Sequence, residues 1–92
     1  TLYADETNIG FDIFPNPANS EITLVMPDAL IGKKLSILIY DNYGKKVLSS
    51  ESSISSENTR QNFNINKLEK GTYFVTIIDE SGDAIKKLLI KQ

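Results

Sequence analysis

An all-β fold is predicted, an antiparallel immunoglobulin-like β-sandwich of about seven strands, and three observations predict it. Apolar and polar residues alternate in short runs, turn formers recur between those runs about every 8 to 12 residues, and a tyrosine opens the sixth run behind a Leu and a Gly. Alternation with a period of two lays one face of each run on a core, whereas a helix would repeat every 3.6 residues. A chain of 92 residues makes one domain with one core, and such a domain buries only roughly 60–65% of the surface its unfolded chain exposes.

Residues 1–10 are polar and acidic with little periodicity, which predicts a linker or flexible arm; the folded domain is expected over residues 11–92. Phe11-Asp12-Ile13-Phe14 alternates as a first strand and Pro15 stops it. Pro17 pushes Asn16 toward extended backbone and, with Asn19 and Ser20, makes a turn no helix could cross. Glu21 to Met26 is a second strand ended by Pro27. Lys34 to Tyr40 is β-branched and alternating, a third. Lys45-Lys46-Val47-Leu48 starts a fourth. From Ser49 to Asn58 six of ten residues are serine, which reads as a long polar connection or a poorly pinned edge strand. Thr59 to Ile65 resumes alternation, and the last strands fall at Thr72–Ile78 and Ala84–Lys91.

Two connections share one chemistry. Asp41-Asn42-Tyr43-Gly44 and Asp79-Glu80-Ser81-Gly82 place Asp first and Gly fourth between apolar runs, so each reads as a tight hairpin whose Asp accepts backbone N–H groups and whose Gly turns left-handed. Asp79, Glu80 and Asp83 also cluster as for a calcium loop, but three carboxylates in five residues lack its full spacing. Tyr73, two residues beyond Gly71, reads as a tyrosine corner, its ring under the bend and its hydroxyl returning to the backbone.

One face of each strand supplies the expected core: Ile13, Ile22, Leu24, Met26, Leu35, Ile37, Ile39, Val47, Phe63, Ile65, Leu68, Tyr73, Val75 and Ile77. Val25, Leu38, Tyr40, Phe74 and Ile78 occupy the opposite registers, where a half-solvated sheet favours polar residues. The serine-rich segment, the N-terminal arm or another protein is expected to cover them. Ile85, Leu88 and Ile90 do not share one register, so a bulge at Lys86-Lys87 is expected to align them and turn both ammonium groups outward. Lysines there would protect an edge strand from sheet-to-sheet association.

Composition narrows the chemistry. Cysteine and histidine are both absent, which removes disulfides, thiolate metal sites and the usual group titrating near neutrality. No enzyme activity, cofactor or metal is expected. The net charge of −2 does not point to nucleic acid, although residues 1–32 hold five acidic and no basic residues. No apolar run approaches the ~20 residues of a membrane span. Thr1 does not open a signal peptide, and the chain is expected to be the C-terminal piece of a longer protein.

Three separately placed motifs carry a resemblance. They are Pro15-Asn16-Pro17-Ala18-Asn19-Ser20-Glu21-Ile22-Thr23-Leu24, then Leu68-Glu69-Lys70-Gly71-Thr72-Tyr73-Phe74-Val75-Thr76-Ile77-Ile78, and Ala84 to Gln92 with no acid after Asp83. In this order they resemble the C-terminal sorting domains of cargo proteins of the bacterial type IX secretion system, of the larger, type A class, over roughly Phe11 to Gln92. Pro15, Asn16, Pro17, Gly71, Tyr73, Gly82, Lys86, Lys87 and Lys91 match the family's recurring positions, while Phe14 stands where many members have tyrosine. The resemblance implies an export address. Its implied partners are outer-membrane and shuttle components of the apparatus, a sortase-like peptidase that removes the domain at the cell surface, and an N-terminal cargo domain of the same parent chain. It implies transit through the periplasm, then a cell-surface or secreted location, with the basic last strand read by the apparatus. As an edge strand at the chain's end, that strand is also sterically available for pairing with a receptor strand. The alternative is an immunoglobulin-like accessory module that binds carbohydrate through Tyr3, Tyr40, Tyr43 and Phe74 or spaces a surface enzyme.

Overall fold

The computed structural model describes residues 10–92, so the expected arm, apart from Gly10, and Tyr3 within it lie outside the described residues. Seven strands follow in order: β1 (Asp12–Phe14), β2 (Glu21–Val25), β3 (Lys34–Asp41), β4 (Lys46–Ser53), β5 (Arg60–Asn64), β6 (Gly71–Ile78) and β7 (Ala84–Lys91). They form two antiparallel sheets, β1-β2-β5 and β4-β3-β6-β7. The fourth strand lies beside the third rather than in the sheet of the first, second and fifth, where the constant-type immunoglobulin plan puts it. A 3-10 turn at Asp28–Leu30, which alternation does not reveal, carries Leu30 into the core.

One core cluster draws on both sheets. Eleven expected members are buried; Val47, Phe63 and Leu68 are partly buried against it. Phe11, Ala18, Leu30, Ile54 and Leu89 complete it without having been expected. Ala18, Leu30 and Ile54 lie outside the strands, where period-two reasoning has no phase, while Phe11 shares the phase of Ile13 one residue ahead of β1. The serine-rich segment resolves into most of edge strand β4, paired along β3, with Ile54 as its buried anchor. Small hydroxyl side chains suit that edge: Ser52 faces inward and its Oγ donates to Gln61 Oε1 at 2.9 Å, joining β4 to β5 across the open side of the sandwich. β4 therefore lies beside the outer face of its sheet and does not cover it.

The last strand departs from expectation. β6 and β7 pair without a break from Gly71↔Lys91 to Ile78↔Ala84, so there is no bulge at Lys86-Lys87. Ile85, Lys87, Leu89 and Lys91 therefore face inward, and Lys86, Leu88 and Ile90 outward. Leu89 is fully buried and Leu88 is 45% exposed.

Candidate functional site

Phe14–Pro15 and Asn16–Pro17, both cis, carry the chain from β1 across to the edge of β7. There Asn16 acts as a clip. Its Nδ2 donates to the Leu88 carbonyl at 2.9 Å, and its Oδ1 accepts the Ile90 N–H at 3.0 Å. Ala18 continues the contact as a parallel bridge to Lys91: its N–H donates to Ile90 O at 2.8 Å, and its carbonyl accepts the Gln92 N–H at 2.7 Å. An amide side chain fits because it offers a donor and an acceptor side by side, copying one residue of a strand.

The second motif meets the same place from the other side. Lys91 is bridged to Ala18 and paired with Gly71, so the three motifs stand abreast at one end of the sheet. Gly71 has φ of +151°, a backbone region L side chains rarely adopt. Two residues on, Tyr73 is buried under the β5–β6 bend and its hydroxyl donates to the Glu69 carbonyl at 2.7 Å, as the corner reading expects. Burial pushes the Tyr73 phenol above its ordinary pKa, and the charges of Glu69 and Asp41 add to the rise.

Gly82 lies at the far end of β7, in the β6–β7 turn, with φ of +93°. The two hairpin turns match. Asp41 Oδ1 accepts the Tyr43 and Lys45 N–H groups, both at 2.9 Å, and Asp79 Oδ1 accepts the Ser81 and Asp83 N–H groups, both at 3.0 Å. Asp79 Oδ1 also accepts the Ser81 hydroxyl at 2.7 Å, and Oδ2 lies 3.6 Å from Lys33 Nζ. The Ser81 hydroxyl, then the turn's N–H groups and Lys33, hold the Asp79 carboxyl below its ordinary pKa against a desolvation that opposes them. These oxygens serve the turn, and among the described residues no group of three or more His, Cys, Asp or Glu could hold a metal ion.

The three lysines occupy different environments. Lys86 projects from the outer face, Lys87 Nζ is 3.7 Å from Asp12 Oδ1 across the sheet edges, and Lys91 is buried, its Nζ donating to the Gln92 carbonyl at 3.0 Å. Across the outer face Tyr40 pairs with Phe74 and Phe74 with Leu88, while Tyr43 stands almost wholly exposed on its turn. Periodicity and turn chemistry do not reveal the strand-capping role of Asn16 and Ala18; the signal for it is an Asn held between two prolines.

The molecule is a small immunoglobulin-like sandwich that fastens its last strand from both sides. Residues 12–91 match the family described as the secretion system C-terminal sorting domain, and the chain belongs to that family. It is a C-terminal sorting signal for type IX secretion, of a family of non-catalytic signal domains, which implies export to the cell surface or secretion. No curated protein matches the chain.

Proposed function

We propose that residues 11–92 are the address bound by the outer-membrane and shuttle components of type IX secretion, and that residues 1–10 join it to an N-terminal cargo domain. The observation that carries this is the meeting of all three motifs at the Ala18–Lys91–Gly71 row, which makes one folded unit of segments far apart in sequence. Motifs that fasten a terminal strand give it a fixed shape to present. In this reading the parent crosses the inner membrane by a separate signal, the domain folds in the periplasm, and the apparatus carries it across the outer membrane. At the surface a sortase-like peptidase cuts before or within Thr1–Gly10. The domain is the substrate of that peptidase and catalyses nothing itself.

The test is a fusion of the 92-residue chain to a periplasmically targeted reporter in a host that has type IX secretion. The reporter is expected on the cell surface or in the medium, read by protease accessibility of intact cells. A folded fusion held in the periplasm would reject the reading.

A further inference from the structure

We propose that the open half of the β7 edge, Ala84 to Leu88, takes up an extended peptide strand of a partner protein, with an acidic side chain opposite Lys86 and an apolar one opposite Leu88. This deepens the sorting reading by giving the partner's contacting segment a chemistry.

The backbone supplies the first reason. In an antiparallel edge strand, alternate residues turn both N–H and C=O away from the sheet. In β7 these include Lys86, Leu88 and Ile90, since Ile90 offers both groups to Asn16 and Ala18. Leu88 C=O is also taken by Asn16. Among the described residues nothing bonds to Leu88 N–H or to Lys86 N–H and C=O. Such a row is a template for another strand. Asn16 marks where an incoming strand must stop, leaving a window of about five residues, or roughly 17 Å.

Side-chain rows supply the second reason. On the outer face Lys46, Tyr40, Phe74 and Leu88 stand in line across β4, β3, β6 and β7, and beside them runs Ser49, Leu38, Thr76 and Lys86. The aromatic row ends at Leu88, which is 45% exposed although its row neighbours Tyr40 and Phe74 are half-buried. An apolar residue on an added strand would extend that row as its members extend one another. The neighbouring row contains no acid. Lys87 already faces Asp12, so of these two lysines only Lys86 has no carboxylate within ion-pair distance among the described residues. A carboxylate on the added strand fits that position.

The probe is a fluorescein-labelled peptide, Thr-Phe-Thr-Asp-Thr-Phe-Thr, which offers the same spacing in either direction, titrated against the 92-residue chain by anisotropy. Saturable binding is expected, about tenfold stronger than that of the copy with Lys for Asp, and Lys86→Glu should invert the preference. Of two copies N-methylated at alternate residues, the one whose N–H groups would face β7 should lose binding and the other keep it. Absence of binding by either charge form would leave Lys86 as edge protection alone. Equal binding by both N-methylated copies would overturn backbone pairing, and indifference to Lys86→Glu would overturn the charge assignment. A rise in affinity of about tenfold on replacing Asp5 and Glu6 by Asn and Gln would overturn the partner, because the chain's own N-terminal segment would then hold the edge. The reporter fusion is read by export, so its outcome is separate from all of these.

Discussion

Gly71 occupies a backbone region that a β-branched residue enters only with strain, since its φ is +151°. Gly71→Val is expected to cost about 1–3 kcal/mol, a clear fall in thermal midpoint; an unchanged midpoint would show that the corner tolerates other geometry. The tyrosine corner was legible here because Leu68, Gly71 and Tyr73 sit at fixed offsets and the hydroxyl of Tyr73 finds a carbonyl only four residues back. Asp79 was legible for the same reason, as the first residue of a turn with Gly fourth. Its carboxyl is held low in the folded chain, so the stability it contributes is fully present above the unfolded value of about 3.9 and is lost as pH falls through the lower folded value. Thermal melts from pH 5 to pH 2 should therefore show a decline, and Asp79→Asn, which cannot ionise, should decline less. Identical pH profiles would mean that the turn does not distinguish the two charge states. Lys91 was not legible at this scale. Nothing in an isolated lysine reveals that its strand phase places it under a crossing loop, where its stem is buried and its ammonium bonds the next carbonyl.

Strands with one apolar face were legible as elements, and β7 shows where that legibility ended. Leu88-Leu89-Ile90 is apolar on both faces, so alternation fixes no phase, and grouping Ile85 with Leu88 and Ile90 required a bulge that the unbroken pairing with β6 does not contain. The phase is set instead by Leu89 in the core and by Lys87 and Lys91, whose aliphatic stems can line an inner face near its rim. β4 was obscure for the opposite reason. Its serines carry no apolar period, and only pairing along β3 makes them a strand. The Asn16 clip is not legible in local sequence because it joins residues more than seventy apart. Asn16→Ala removes both hydrogen bonds and is expected to destabilise the domain by about 1–2 kcal/mol. Amide exchange should quicken at Ile90 in particular, while Val75 and Ile77 in the sheet interior stay protected. Uniform quickening would mean that the strand end and the sheet open together, and no change would mean that Ala18 alone holds the end.

At the scale of the whole molecule, edge protection and recognition make different forecasts for the lysines, and their environments separate them. Lys86 and Lys87 are exposed, and among the described residues Lys87 is joined only to an exposed Asp12. Exposed charges of this kind affect stability by roughly 0–1 kcal/mol. The Lys86→Gln, Lys87→Gln double variant should therefore fold like the parent by circular dichroism and thermal melt. Lys91→Gln serves as the contrasting variant, because that side chain is buried at the meeting point of the three motifs and its loss should lower the melting midpoint before it alters any surface. Fused to the reporter, the double variant is expected to collect in the periplasm in folded form, since the proposed partner strand would lose the ammonium that orients it. If Lys86 only guarded the edge, export would proceed and the purified variant would associate more readily through its uncovered backbone groups. Normal export of the folded double variant would thus reject charge reading at this strand, leaving the shape fixed by Asn16, Gly71 and Tyr73 as what the apparatus can still recognise. Restored export on pairing Lys86→Glu with a basic substitution in the partner segment would establish the charge reading directly, because no edge-protection role predicts rescue by reversing both charges.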